Sequence, residues 1–96
     1  MRFRIEQIFL TDEFGKVING GVPQFHLIES GSVDDALRLF VSRDEAEIVG
    51  DVLKLPGFQA IATARRSNHV YTLQVSPVSD RFKHGEFRET DRENGR

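Results

Sequence analysis

From Arg2 the chain alternates, with Phe3 and Ile5 on one side and Arg2, Arg4 and Glu6 on the other. A period of two is the signature of a strand. Ile8-Phe9-Leu10 is apolar on both faces, which fits a strand whose far end is covered by a helix or by a second subunit. Thr11 to Lys16 reads as a polar turn, Val17 and Ile18 as a brief pairing, and Asn19-Gly20-Gly21 as a tight reversal, since glycines accept positive φ. Val22 to Glu29 resumes alternation as a second long strand. This reading places Phe25 and Leu27 inward and Gln24, His26 and Ile28 outward, with Pro23 near the strand start.

The strongest local signal is Ser32-Val33-Asp34-Asp35-Ala36-Leu37-Arg38-Leu39-Phe40-Val41. Ser32 is a suitable N-cap, Asp34 and Asp35 complement the helix dipole, and Gly31 gives a flexible lead-in. Apolar residues at 33, 36, 37, 40 and 41 form one helical stripe. A helix of about three turns is marginal alone in water and needs a sheet to cover. Ser42 to Leu55 carries two signals. Ser42-Arg43-Asp44-Glu45 matches a capping box, but Ile48 to Leu55 is rich in β-branched residues, contains Gly50 and stops at Pro56-Gly57. A strand from about Ile48 is the preferred reading. Phe58 to Arg65 and His69 to Val75 alternate as two further strands, with Phe58, Ala60, Ala62 and Ala64 in register and Arg66-Ser67-Asn68 short enough for a hairpin turn. Pro77 ends the sheet.

The expected order is β(β)β-α-βββ, an α+β domain with an antiparallel sheet of four to five strands and one helix packed on one face. The domain spans residues 1–79. Residues 80–96 differ in composition, with five basic groups against five acidic ones and only Phe82 and Phe87 strongly apolar. Such a segment buries too little surface to offset about 1–2 kcal/mol of backbone entropy per residue, so a flexible charged tail is expected, with a docking peptide as its functional alternative.

Composition narrows the chemistry. A chain of 96 residues forms one domain and buries roughly two thirds of its unfolded surface. Without cysteine it has no disulfide, thiolate nucleophile or Cys-ligated metal. No apolar run approaches the roughly 20 residues of a membrane span, and the charged start is unlike a signal peptide, so a soluble cytoplasmic protein without membrane contact is expected. His26, His69 and His84 lack ligand spacing. No nucleophile elbow or phosphate-binding glycine loop is present. Asp34-Asp35 fits a helix start and Asp44-Glu45 a solvated connection. No metal, cofactor or catalytic constellation is therefore expected.

Two binding readings remain, with an enzyme pocket between helix and sheet ranked last. Ten of the thirteen basic residues are arginine, the side chain suited to phosphates. The nucleic-acid candidate is the hairpin tip Arg65, Arg66, Asn68, His69 and Tyr71, extended by Arg2 and Arg4 if their strands adjoin. A net charge of -2 argues against it. The leading reading is a non-enzymatic interaction domain acting through an open sheet face or edge. Eight phenylalanines exceed what one short helix covers, and Ile8, Leu10, Ile28 and Ile61 are assigned to the face away from the core. That surplus predicts a homodimer, or a protein partner on the open face or tail.

Overall fold

The computed structural model describes residues 1–19 and 21–78. They form β1 (Arg2–Phe9), β2 (Gln24–Glu29), α1 (Val33–Arg43), β3 (Glu47–Leu55), β4 (Gln59–Arg66) and β5 (His69–Pro77). All pairings are antiparallel, in the order β2-β1-β5-β4-β3. The expected α+β order is observed, with five strands and α1 across one face. The tail expected from residue 80 lies outside the described residues, as does Gly20 of the first reversal. Among the described residues, no helix is long and apolar enough to cross a membrane.

The helix forms where its local signals place it. Ser32 Oγ accepts from the Asp35 backbone N–H at 3.1 Å, and Asp34 and Asp35 occupy the first turn. At the other end the Asp44 N–H reaches Phe40 O and the Ala46 N–H reaches Val41 O, so the last turn closes on its own carbonyls. Glu45, at φ 55, turns the chain back toward β3. Ser42-Arg43-Asp44-Glu45 therefore ends one helix instead of starting another.

Ala36, Leu37, Phe40 and Val41 press onto Phe3, Ile5, Ala60, Ala62, Ala64, Leu73 and Val75. The alanines of β4 are small where the helix passes over the sheet, and larger side chains of β1 and β5 fill the space beside them. Lys54 of β3 reaches back to Asp34 of the helix, 2.9 Å from its carboxylate.

Two inward assignments are reversed. Phe25 is 58% and Leu27 62% exposed, while Ile28 is in the core and His26 is half-buried beneath the helix. Alternation alone gives two nearly equivalent faces to this strand, Phe25 with Leu27 or His26 with Ile28. Pairing with β1 decides between them, because Ile28 stands opposite Phe3 and His26 opposite Ile5, both buried under α1. Phe58 is the other correction. It sits at φ 59 in the turn before β4, outside the pleat, and is exposed.

The face away from α1 is uneven. Its centre carries Arg4 and Glu6 from β1 and Thr72, Gln74 and Ser76 from β5, neighbours across the ladder. Its exposed large apolar side chains lie on the outer strands, Phe25 and Leu27 on β2 and Val49 and Leu53 on β3. Ile8 and Ile61 are half-buried between.

The two edges also differ. In β3 the register slips between Val49 and Leu53, where Gly50 at φ 77 and Asp51 make a bulge. Bulges and charges of this kind blunt an edge against pairing. By contrast, β2 pairs with β1 in continuous register from Gln24 to Glu29.

Candidate functional site

Three parts of the chain meet at one end of the sheet: the close of β1, the β4–β5 turn and the end of α1. Phe9 organises them. Its ring stacks on His69 at 4.2 Å and meets Tyr71 edge-on at 5.3 Å. Thr11 then clamps the turn, donating its hydroxyl to Asn68 O at 3.0 Å and accepting the Val70 N–H at 2.8 Å. Gly15, at φ +87, packs against Asn68. In the same loop Asp12 Oδ1 accepts the N–H groups of Phe14 and Lys16, each at 2.9 Å.

Tyr71 is fully buried, and its hydroxyl donates to Asp44 Oδ2. The other Asp44 oxygen pairs with Arg66 at 2.8 Å. Desolvation raises the Tyr71 hydroxyl far above its ordinary value of 10.0, helped by the hydrogen bond to Asp44 and its charge and opposed by Arg66. Asp44 thus ties the helix end to β4 and β5, a role not visible in its reading as part of a solvated acidic pair.

Beside this tie a cleft of about 500 Å³ opens between the second half of α1 and strands β1 and β2. Its walls include Phe9, Ile28 and Phe40, and its polar lining includes Gln7, His26, Arg43, Asp44 and Arg66. Gln7 is only 3% exposed, the sole buried polar residue among those described. His26 Nε2–H donates to Gln7 Oε1 at 3.0 Å, and the imidazole lies 4.8 Å from the Phe40 ring. This concavity lies where the enzyme-pocket reading looked for one. Among the described residues, no group of three or more His, Cys, Asp or Glu could hold a metal ion.

The residues of the nucleic-acid reading are distributed differently. Arg65 pairs with Glu47 at 2.6 Å and Arg66 with Asp44, His69 is stacked on Phe9, Asn68 is tied to Thr11, and Tyr71 faces the core. Arg2 and Arg4 lie toward the opposite end of the strands. Arg4 stands opposite Ser76 and Phe9 opposite Tyr71, on the order of 16 Å apart at about 3.3 Å of rise per residue. Arg2 is 3.9 Å from Glu29, and Arg4 lies 5.5 Å over the Phe25 ring. The structure gathers Arg66, Asn68 and His69 at one end and leaves Arg2 and Arg4 at the other.

Neither a family model nor a curated protein nor a solved structure matches this chain. Gln7, His26, Arg43 and Asp44 were not singled out by the sequence as one site. They converge only through the β1–β2 register and the helix crossing, and the only trace in the sequence is a glutamine at a position that continues the Phe3-Ile5 stripe.

Proposed function

We propose that this chain is a self-associating interaction domain in which a second copy adds to the outer edge of β2, continuing the sheet across a two-fold axis. The observation that carries this reading is the state of that edge. Ser30 N–H bonds to Met1 O at 2.9 Å, which sets the alternation, so the backbone groups of Ile28, His26 and Gln24 point to β1. Those of Phe25, Leu27 and Glu29 point outward with no strand beside them among the described residues. The same three residues direct their side chains to the uncovered face.

A second copy suits this edge because the strand is complementary to itself. An antiparallel pairing centred on Leu27 sets Leu27 of one copy against Leu27 of the other and adds about six backbone hydrogen bonds. It also sets Glu29 of one copy opposite Phe25 of the other, and Arg4 already lies over that ring. The pairing is thus attractive in charge as well as apolar. Face-to-face packing has less support, since it would bury Arg4, Glu6 and Gln74 at the centre of the face. The nucleic-acid reading also has less support, because Arg65 and Arg66 are each engaged by a carboxylate.

Sedimentation of the full chain should give a species of twice the 10.9 kDa chain mass. Backbone hydrogen exchange on that species should show protection at Phe25, Leu27 and Glu29. Leu27→Pro removes one outward N–H without touching the ladder to β1, a tolerated position for proline in an edge strand, and Leu27→Lys places like charges across the axis. Both variants should sediment as single chains. A wild-type chain that stays monomeric at every concentration reached, or a dimer indifferent to both variants, overturns the proposal.

A further inference from the structure

The cleft beside α1 has a feature that the fold does not explain. Gln7 is almost wholly buried, and its oxygen is engaged by His26, yet its NH₂ group has no partner among the described residues. With the oxygen engaged by His26, the open end of the carboxamide is its pair of donors. A buried amide in that state is costly unless something else completes it. The same amide lines a cleft of about 500 Å³, within the size range of small-molecule sites.

The rest of the lining says what would complete it. Arg43 has no ion-pair partner within the described structure, and Arg66 shares its charge with Asp44 alone. Two guanidinium groups therefore stand against one carboxylate. The partial negative charge of the helix end is muted there, since Phe40 O, Val41 O and Ser42 O already accept N–H groups. Open donors predominate, and between them lie the apolar walls of Phe9 and Phe40. From these observations we infer that the cleft is a binding site for a small organic carboxylate with a flat apolar body, its oxygens received by Arg43, Arg66 and the Gln7 amide and its body held against the two phenylalanines. A guanidinium fork suits a carboxylate, and the phenyl walls explain why a bare anion would not suffice.

The probe is benzoate, titrated into the isotope-labelled full chain while the side-chain amide resonance of Gln7 and the ring resonances of His26 are followed. Both should move and saturate together. Acetate, which lacks the body, and inorganic phosphate, which lacks both body and planarity, should each bind at least about tenfold more weakly. Arg43→Gln, at an exposed position where folding is not at stake, should weaken benzoate by about tenfold. Gln7→Met removes one of the three donors and should weaken benzoate by about tenfold, while the preference for benzoate over its neutral methyl ester persists through Arg43 and Arg66. If benzoate leaves Gln7 and His26 unmoved, if acetate or phosphate matches it, or if Arg43→Gln has no effect, the assignment is wrong. Failure of the Gln7 variant to fold leaves the Arg43 result to decide.

Discussion

Alkaline titration gives a direct test of the bond between Tyr71 and Asp44, because Tyr71 is the only tyrosine in the chain and there is no tryptophan or cysteine to confuse its spectrum. The hydroxyl is fully buried, donates to a carboxylate and is held far above its ordinary value of 10.0. In the unfolded chain it ionises near that value. Above it, the unfolded state binds fewer protons than the native state, so stability falls as pH rises. At about pH 11 the loss from this one group is about 1.4 kcal/mol, and it continues at about 1.4 kcal/mol per pH unit until the native hydroxyl itself ionises.

Tyr71→Phe supplies the control. At neutral pH the variant should be less stable by about 1–2 kcal/mol, the low end for a hydrogen bond to a charged group because water can partly replace it at Asp44. It lacks the alkaline loss from Tyr71. The wild-type advantage should therefore shrink as pH rises, and the two stability curves should meet near about pH 11. Urea unfolding of both proteins at a series of pH values measures this difference, and contributions from lysines cancel between them. Tyrosinate absorbance should appear only together with loss of the far-ultraviolet circular dichroism signal. Absorbance rising near pH 10 while the fold persists, or a constant gap between the curves, would refute the assignment of Tyr71 as a buried donor.

The same tie predicts an asymmetry. Asp44→Ala leaves the buried Tyr71 hydroxyl without an acceptor and should cost about 1–3 kcal/mol, more than Tyr71→Phe, while adding Tyr71→Phe to it should restore part of the loss; a double-mutant cycle by urea unfolding reads the coupling, and strict additivity would contradict the bond. At the other end of the helix, Ser32→Ala removes the acceptor for the Asp35 N–H and should cost about 1 kcal/mol by the same assay, with Ser32→Asn close to neutral.

Whatever depends on neighbours in sequence was legible. The helix could be read because Ser32, Asp34, Asp35 and the stripe from Val33 to Val41 all lie within one segment. The strand pattern of β4 could be read because Ala60, Ala62 and Ala64 repeat at period two. What depends on distant partners was not. The two faces of β2 are almost equally apolar, so only its register with β1 reveals that His26 and Ile28 turn inward. Strand order separates Arg4 from Arg66, and no local pattern carries strand order. Asp44 looks like a solvated acid until the helix end is folded against β5, where its carboxylate meets a buried hydroxyl. Sites assembled across elements are hidden from a reading along the chain for this reason.

The two proposals share β2 without competing for it, a consequence of strand geometry. In an antiparallel ladder the direction of the backbone groups alternates with each residue, and so does the side of the sheet to which the side chain points. Gln24, His26 and Ile28 bond to β1 through the backbone and line the cleft with their side chains. Phe25, Leu27 and Glu29 turn their backbone groups outward and their side chains to the uncovered face. Leu27 is the residue that joins the two, since it also borders the cleft. Phe25→Pro, which removes an outward N–H at a residue that does not line the cleft, therefore acts on pairing, whereas Arg43→Gln on the helix acts on the cleft alone. Loss of benzoate binding in Phe25→Pro with Arg43 intact would mean that the second copy helps to close the cleft. Retention would mean that each chain carries a complete site, the arrangement expected when edge and cleft are built from opposite phases of one strand.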